Sequence, residues 1–97
     1  MKVTVIIPNY NGAKFLRPCL NSLRLQTYKE FETVVVDNAS QDESLEILKE
    51  YPEVRVLSMK ENLGFSGGVN AGIRACSTTY VILLNNDTEV AITASLS

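Results

Sequence analysis

The chain has 97 residues, 45% hydrophobic and 21% charged, which suffices for one small domain with one hydrophobic core. Nine Lys and Arg against eleven Asp and Glu leave a formal charge of −2. The basic residues are scattered, which argues against nucleic acid or an anionic membrane as partner. With no His, and with Cys19 and Cys76 far apart, zinc coordination and Ser-His or Cys-His nucleophile pairs are disfavoured. Two reduced, partly buried thiols in a cytoplasmic protein are expected. No apolar run approaches the ~20 residues of a membrane span. The run at residues 3–7, closed by Pro8, is too short for a secretory signal.

Residues 3–7 (VTVII) are almost wholly β-branched and predict a strand buried on both faces, ending at Pro8. Asn9, Tyr10, Asn11 and Gly12 read as a turn. A helix follows with Phe15, Leu16, Cys19, Leu20 and Leu23 at helical spacing, starting near Phe15 so that Pro18 falls in its first turn. Residues 33–37 (TVVVD) form the second predicted strand. Ser40 and Glu43 fit a capping box for a short helix carrying Leu45, Ile47 and Leu48, with Pro52 just beyond it. Asp42 and Glu43 read as first-turn residues favoured by the helix dipole. Residues 54–57 give a shorter third strand.

The glycine-rich stretch 62–72 follows, its second half helical because Val69, Gly72, Ile73 and Cys76 fall at i, i+3, i+4 and i+7. Residues 80–84 (YVILL) are the fourth strand, leading into Asn85, Asn86 and Asp87. The order β-α-β-α-β-α-β predicts an α/β fold: a mainly parallel sheet of about four strands, right-handed crossovers, helices on both faces. The fourth strand is as apolar as a central one, yet nothing in the chain is expected to cover its far side. Such an edge invites self-association through the exposed fourth strand, and the sequence reads as cut short.

Ligands of open α/β sheets bind beyond the carboxyl ends of the strands. Three polar clusters stand there: Pro8 to Asn11, Asp37 with Asn38, and Asn85 to Asp87. Asp37 could accept from a ribose hydroxyl or a base N–H, although a strand-terminal Asp alone is usually turn or capping chemistry. The glycines at 64, 67, 68 and 72 match neither GxGxxG nor GxxxxGK[ST], which disfavours a dinucleotide oxidoreductase and a phosphate-loop NTPase. They serve either close approach of backbone to a ligand or tight helix-on-sheet packing, and spacing alone does not choose. Carboxylate and amide oxygens at Asp87 and Asn85 suit a hard cation, Mn²⁺ or Mg²⁺. With so few cations of its own, the chain would need that metal to neutralise a diphosphate.

Four segments together carry a resemblance: VTVIIPNYNGAKFLRPCLNSLRLQTY (residues 3–28), VVVDNASQDES (34–44), ENLGFSGGVNAGIRA (61–75) and VILLNNDTEV (81–90). In this order they resemble the N-terminal, nucleotide-sugar-binding region of glycosyltransferase family 2, of the Rossmann-like, three-layer GT-A fold. The Asn-Asn-Asp variant is most similar to bacterial rhamnosyltransferase-type members, which work in cell-envelope polysaccharide synthesis. The resemblance implies that Pro8, Asn9 and Tyr10 line the nucleoside pocket and that Asp37 binds the base. Asn62, Gly64 and Asn70 would lie along the nucleotide and sugar, and Asn86 would join them. Asp87 would stand at the metal position of the family's DXD motif, with Asn85 replacing its first Asp. The implied reaction moves a sugar, with inversion, from a UDP- or dTDP-sugar to an acceptor hydroxyl of a saccharide or lipid. A carboxylate base from the family's C-terminal half would deprotonate that acceptor.

On this reading residues 1–90 are a truncated donor-binding domain and residues 91–97 an atypical tail. The fragment is expected to bind nucleotide without transferring sugar, and the full-length enzyme to work in the cytoplasm or at the inner face of the membrane. The competing expectation is a non-catalytic nucleotide-binding or self-association module. A nucleotidyltransferase is weakened by the lack of a glycine- and arginine-rich loop after the first strand.

Overall fold

The computed structural model describes residues 3–26, 30–76, 78 and 80–84. Its elements are β1 (Val3–Asn9), α1 (Ala13–Arg24), β2 (Phe31–Asp37), α2 (Ser44–Leu48), β3 (Arg55–Ser58), α3 (Gly64–Ala75) and β4 (Tyr80–Leu83). All pairings are parallel and the strand order is β3-β2-β1-β4. This is the expected α/β fold.

Alternation along the strands divides the core in two. Val3, Val5 and Ile7 of β1 and Val35 of β2 pack with Leu16, Cys19, Leu20 and Leu23 of α1 and Ile47 and Leu48 of α2. On the opposite face Ile6, Val34 and Val36 pack with Leu57, Met59 and Ala71, the last from α3. Three layers result. Burying one such aliphatic side chain is worth about 1.5–3 kcal/mol, and the two central strands and the helices packed on them share that stabilisation.

Four local expectations are corrected. Pro8 does not end β1, which runs on to Asn9 with Pro8 opposite Val36. The Leu84 N–H donates to the Ile6 carbonyl, so even-numbered residues of β1 direct their main-chain groups toward β4. The described β1–β4 pairing stops at Ile6, and Pro8 forfeits no bond to β2.

The first helix starts at Ala13, not near Phe15, which puts Pro18 beyond the first turn. Its early start rests on the Ala13 N–H donating to Asp42 Oδ2 at 3.0 Å, a contact from a distant loop. The Ser40–Glu43 capping box does not form. Glu43 occupies the cap position of α2 without a side-chain bond, and the Ser44 N–H donates instead to Asp42 Oδ1 at 2.9 Å.

Finally, α3 is helical as expected but starts at Gly64, so it takes in more of the glycine-rich stretch than the second half. Its buried residues are Gly68 and Gly72, while Ile73 is exposed. A Cβ on Gly72 would lie 2.8 Å from Ile6 Cγ2 and 3.2 Å from Val36 Cγ2, so the helix backbone rests directly on the sheet. The helix N-terminus is thereby held close to the end of β2.

Among the described residues β4 is an edge strand, with Tyr80, Val81 and Leu83 all exposed. No helix among them is long and apolar enough to cross a membrane.

Candidate functional site

Strands β1, β2 and β3 are laid side by side in chain order, and α3 then crosses back to set β4 beside β1. The reversal creates a switch point at the carboxyl end of β1, where open α/β sheets bind ligands. Asn9 and Asp37 are directly opposed there at the ends of β1 and β2.

Their side chains meet. Asn9 Nδ2 donates to Asp37 Oδ1 at 2.9 Å and, more weakly, to Ser40 Oγ at 3.3 Å. Ser40 Oγ donates to Asp37 Oδ1 at 2.7 Å, and the Ser40 N–H donates to Asp37 Oδ2 at 3.0 Å. Ser40 Oγ also accepts the Asn11 N–H at 2.9 Å, while Asn11 Oδ1 accepts the Gln41 N–H at 2.8 Å. The loops after β1 and β2 are thus laced through buried Asn9 and Asp37 and the partly buried Ser40. Asn11 (φ 51°) and Ala39 (φ 62°) adopt left-handed backbone to allow it.

Asn38 points to the other layer, as alternation from Asp37 requires. Its Nδ2 donates to the Gly64 carbonyl at 3.2 Å, and its Oδ1 accepts the Leu63 N–H at 3.4 Å. Gly68 leaves room for it, since a Cβ there would sit 2.7 Å from Asn38 Nδ2. The third loop is turned by Gly64 (φ 75°), whose N–H donates to Asn62 Oδ1 at 2.8 Å. The glycine-rich stretch is therefore built for both turning and packing, while its exposed start faces the same end of the sheet.

Asp42, read from sequence only as a first-turn helix residue, joins the N-termini of α1 and α2. Burial pushes its carboxyl upward, but hydrogen bonds from the Ser44 hydroxyl and from the Ser44 and Ala13 N–H groups outweigh this and hold it below the usual range. Ser40 and Asp42 are the positions that sequence reasoning left out of the site. The only signal for them was the polar run after β2.

The structure places Asn9 and Asp37 together and buried, Pro8 half-buried, and Tyr10, Asn62, Gly64 and Asn70 exposed. Among the described residues no hydrogen bond joins Asn70 to the Asn9–Asp37 pair. Asn85, Asn86 and Asp87 lie outside the described residues. A cavity of about 290 Å³ lined by Leu20, Leu23, Phe31 and Val54 lies at the other end of the sheet and includes none of the candidate residues among those described.

The sequence model of glycosyl transferase family 2 matches residues 4–94. The chain belongs to this family. It is 45% identical over 89 residues to the glycosyltransferase GlyA of Streptococcus pneumoniae, covering 89% of the chain and 13% of that relative. Its identity to a chondroitin synthase of Escherichia coli is 35%, covering 88% of the chain and 13% of that protein. Among solved structures, residues 1–349 of S. aureus TarS in complex with UDP-GlcNAc superpose with a TM-score of 0.83 at 34% identity, over 90% of the chain and 27% of that TarS fragment. A mannosyltransferase from Pyrobaculum calidifontis, bound to GDP-Man and Mn²⁺, also gives 0.83, at 28% identity over 89% of the chain and 27% of that protein. The chain thus spans less than a third of each of these proteins, and over that span it has the family 2 sequence pattern and the Rossmann-like GT-A architecture.

Proposed function

We propose that this chain is the donor-binding part of an inverting glycosyltransferase, seating a nucleotide-diphosphate sugar at the carboxyl ends of β1 and β2. The carrying observation is the Asn9–Asp37–Ser40 pin at the switch point of a family 2 chain. In this reading Pro8, Asn9 and Tyr10 form the nucleoside side of the pocket, buried Asn9 as its floor and exposed Tyr10 as its rim, and Asn62, Gly64, Asn70 and Asn86 follow the diphosphate and sugar. The reaction served is transfer of the sugar to an acceptor hydroxyl. UDP- or dTDP-linked donors are the expected class, and the UDP-GlcNAc bound to TarS supports the uridine form.

The oxygens of Asp87 and Asn85 form a hard donor set that suits Mg²⁺ or Mn²⁺, and the Mn²⁺ bound to the mannosyltransferase neighbour supports a divalent ion here. Among the described residues no group of three His, Cys, Asp or Glu could hold a metal instead. Asp87 would be the principal ligand, with Asn85 beside it. When bound, the cation supplies the positive charge that a departing diphosphate needs and that this chain, at −2, lacks.

Calorimetric titration with UDP, with and without Mn²⁺, tests the reading. Binding that strengthens with Mn²⁺ and loses that gain in Asp87→Ala is the expected result. Absence of binding in both conditions contradicts it. The exposed β4 edge favours a second property, self-association through that strand. Light scattering tests it: a dimer that Val81→Lys dissociates supports it, and a strict monomer rejects it.

A further inference from the structure

The family resemblance implies that Asp37 touches the nucleotide base, yet Asp37 has 0% of its surface exposed. A carboxylate offers about four acceptor sites, and here three are taken within the chain. Asn9 Nδ2 and Ser40 Oγ share Oδ1, and the Ser40 N–H takes Oδ2. Strand alternation aims Asp37 into the α1/α2 layer, beneath the loops after β1 and β2, while Asn38 faces α3. A ligand atom could reach Asp37 only by breaking the loop contacts that shape the pocket.

We infer that Asp37 is a positioning residue that sets the nucleotide pocket through Asn9, Ser40 and Asn11 without itself touching the nucleotide. This rests on the donor-site reading above. Asp37 orients the Ser40 hydroxyl, whose oxygen then holds the Asn11 N–H, and Asn11 in turn holds Gln41. It also fixes the Asn9 amide, so both pocket loops take their geometry from one buried carboxylate.

The experiment compares the wild-type chain with Asp37→Asn, Ser40→Ala and the double variant. Calorimetry reads affinity for UDP and for its N3-methyl analogue, which lacks the base N–H that a contacting carboxylate would accept. Amide NMR spectra of the unliganded proteins read the loops directly. Asp37→Asn is expected to weaken both ligands by the same factor, on the order of tenfold, the factor that loss of a hydrogen bond worth about 1.4 kcal/mol gives. Ser40→Ala acts in the same direction, the double variant is no worse than the poorer single, and the Asn11 and Gln41 amides shift in all three.

A changed ratio of UDP to N3-methyl-UDP affinity in Asp37→Asn overturns the inference. So does lost affinity with unshifted Asn11 and Gln41 amides, or unchanged affinity with only a lowered Tm. Should Asp37→Asn fail to fold, Ser40→Ala carries the same criteria. If wild type binds neither ligand, the donor-site reading fails. The amide spectra then decide by themselves whether Asp37 sets the loops.

Discussion

The Ala13 N–H donates to Asp42 Oδ2 at 3.0 Å, so α1 is capped by a residue 29 positions further along the chain. The other oxygen of the same carboxylate accepts from Ser44 N–H and its hydroxyl at the start of α2. Asp42→Ala should therefore cost about 0.5–2 kcal/mol, the range of a lost helix cap, read as a lower urea midpoint with unchanged m.

Acid should imitate that substitution. Asp42, Glu50 and Glu53 all have folded-state pKa values held below their ordinary ones. For the two glutamates the first cause is the hydrogen bond from Arg17 or Arg24. A depressed carboxyl contributes stability that is full above its unfolded pKa, about 4, and is lost as pH falls through the folded value. Unfolding monitored by circular dichroism should show little pH dependence between about 5 and 7 from these groups, and a falling Tm below about 4. In Asp42→Ala the acid-induced fall should be shallower.

Gly72 lies against Ile6 closely enough that a Cβ would intrude on Cγ2 at 2.8 Å. Alanine gains about 1 kcal/mol of helix propensity over glycine, whereas overpacking costs about 1–3 kcal/mol. Gly72→Ala should be destabilised by up to about 2 kcal/mol, and Gly72→Val by more. Urea titration of the pair checks this, and a stabilised Gly72→Val would show that α3 does not rest on the sheet.

Ala39 holds φ 62° in the loop that carries Ser40. Relieving left-handed backbone is worth about 1–2 kcal/mol, partly cancelled by the greater freedom of glycine when unfolded. Ala39→Gly should raise stability by up to about 1 kcal/mol without weakening UDP binding.

Cys19 is 1% exposed, and burial pushes its pKa up to about 11. Cys76, at the end of α3, is only partly covered. A thiol reagent applied to the native chain near neutral pH should label Cys76 and spare Cys19, as mass spectrometry of the peptides would reveal. Equal labelling would mean that the α1 face of the core is open.

The parts of this fold that were legible in the sequence depend on local pattern. Runs of β-branched residues in β1 and β2 announce strands covered on both faces, and their polar ends at Asn9 and Asp37 do meet. What was not legible depends on partners far away in the chain. The start of α1 is decided by Asp42, and Ser40 leaves a locally plausible capping box because Asp37 and Asn11 engage its hydroxyl. Likewise the inner face of α3 follows from what Ile6, Val36 and Asn38 leave room for, not from where Val69 and Ile73 fall. Proline at position 8 is tolerated because of which neighbour its nitrogen faces, a matter of strand order that no window of sequence contains.

The most direct test of the donor-site account is an amide-resolved NMR titration of the isotope-labelled chain with UDP in Mg²⁺. The account predicts the largest shifts at Tyr10, Asn11 and Gly12, at Asn38 to Gln41, and from Asn62 to Gly68, all at the carboxyl ends of β1 to β3. Shifts confined to Phe31, Glu32, Thr33 and Val54 at the opposite end of the sheet, or no shifts at all, would contradict it.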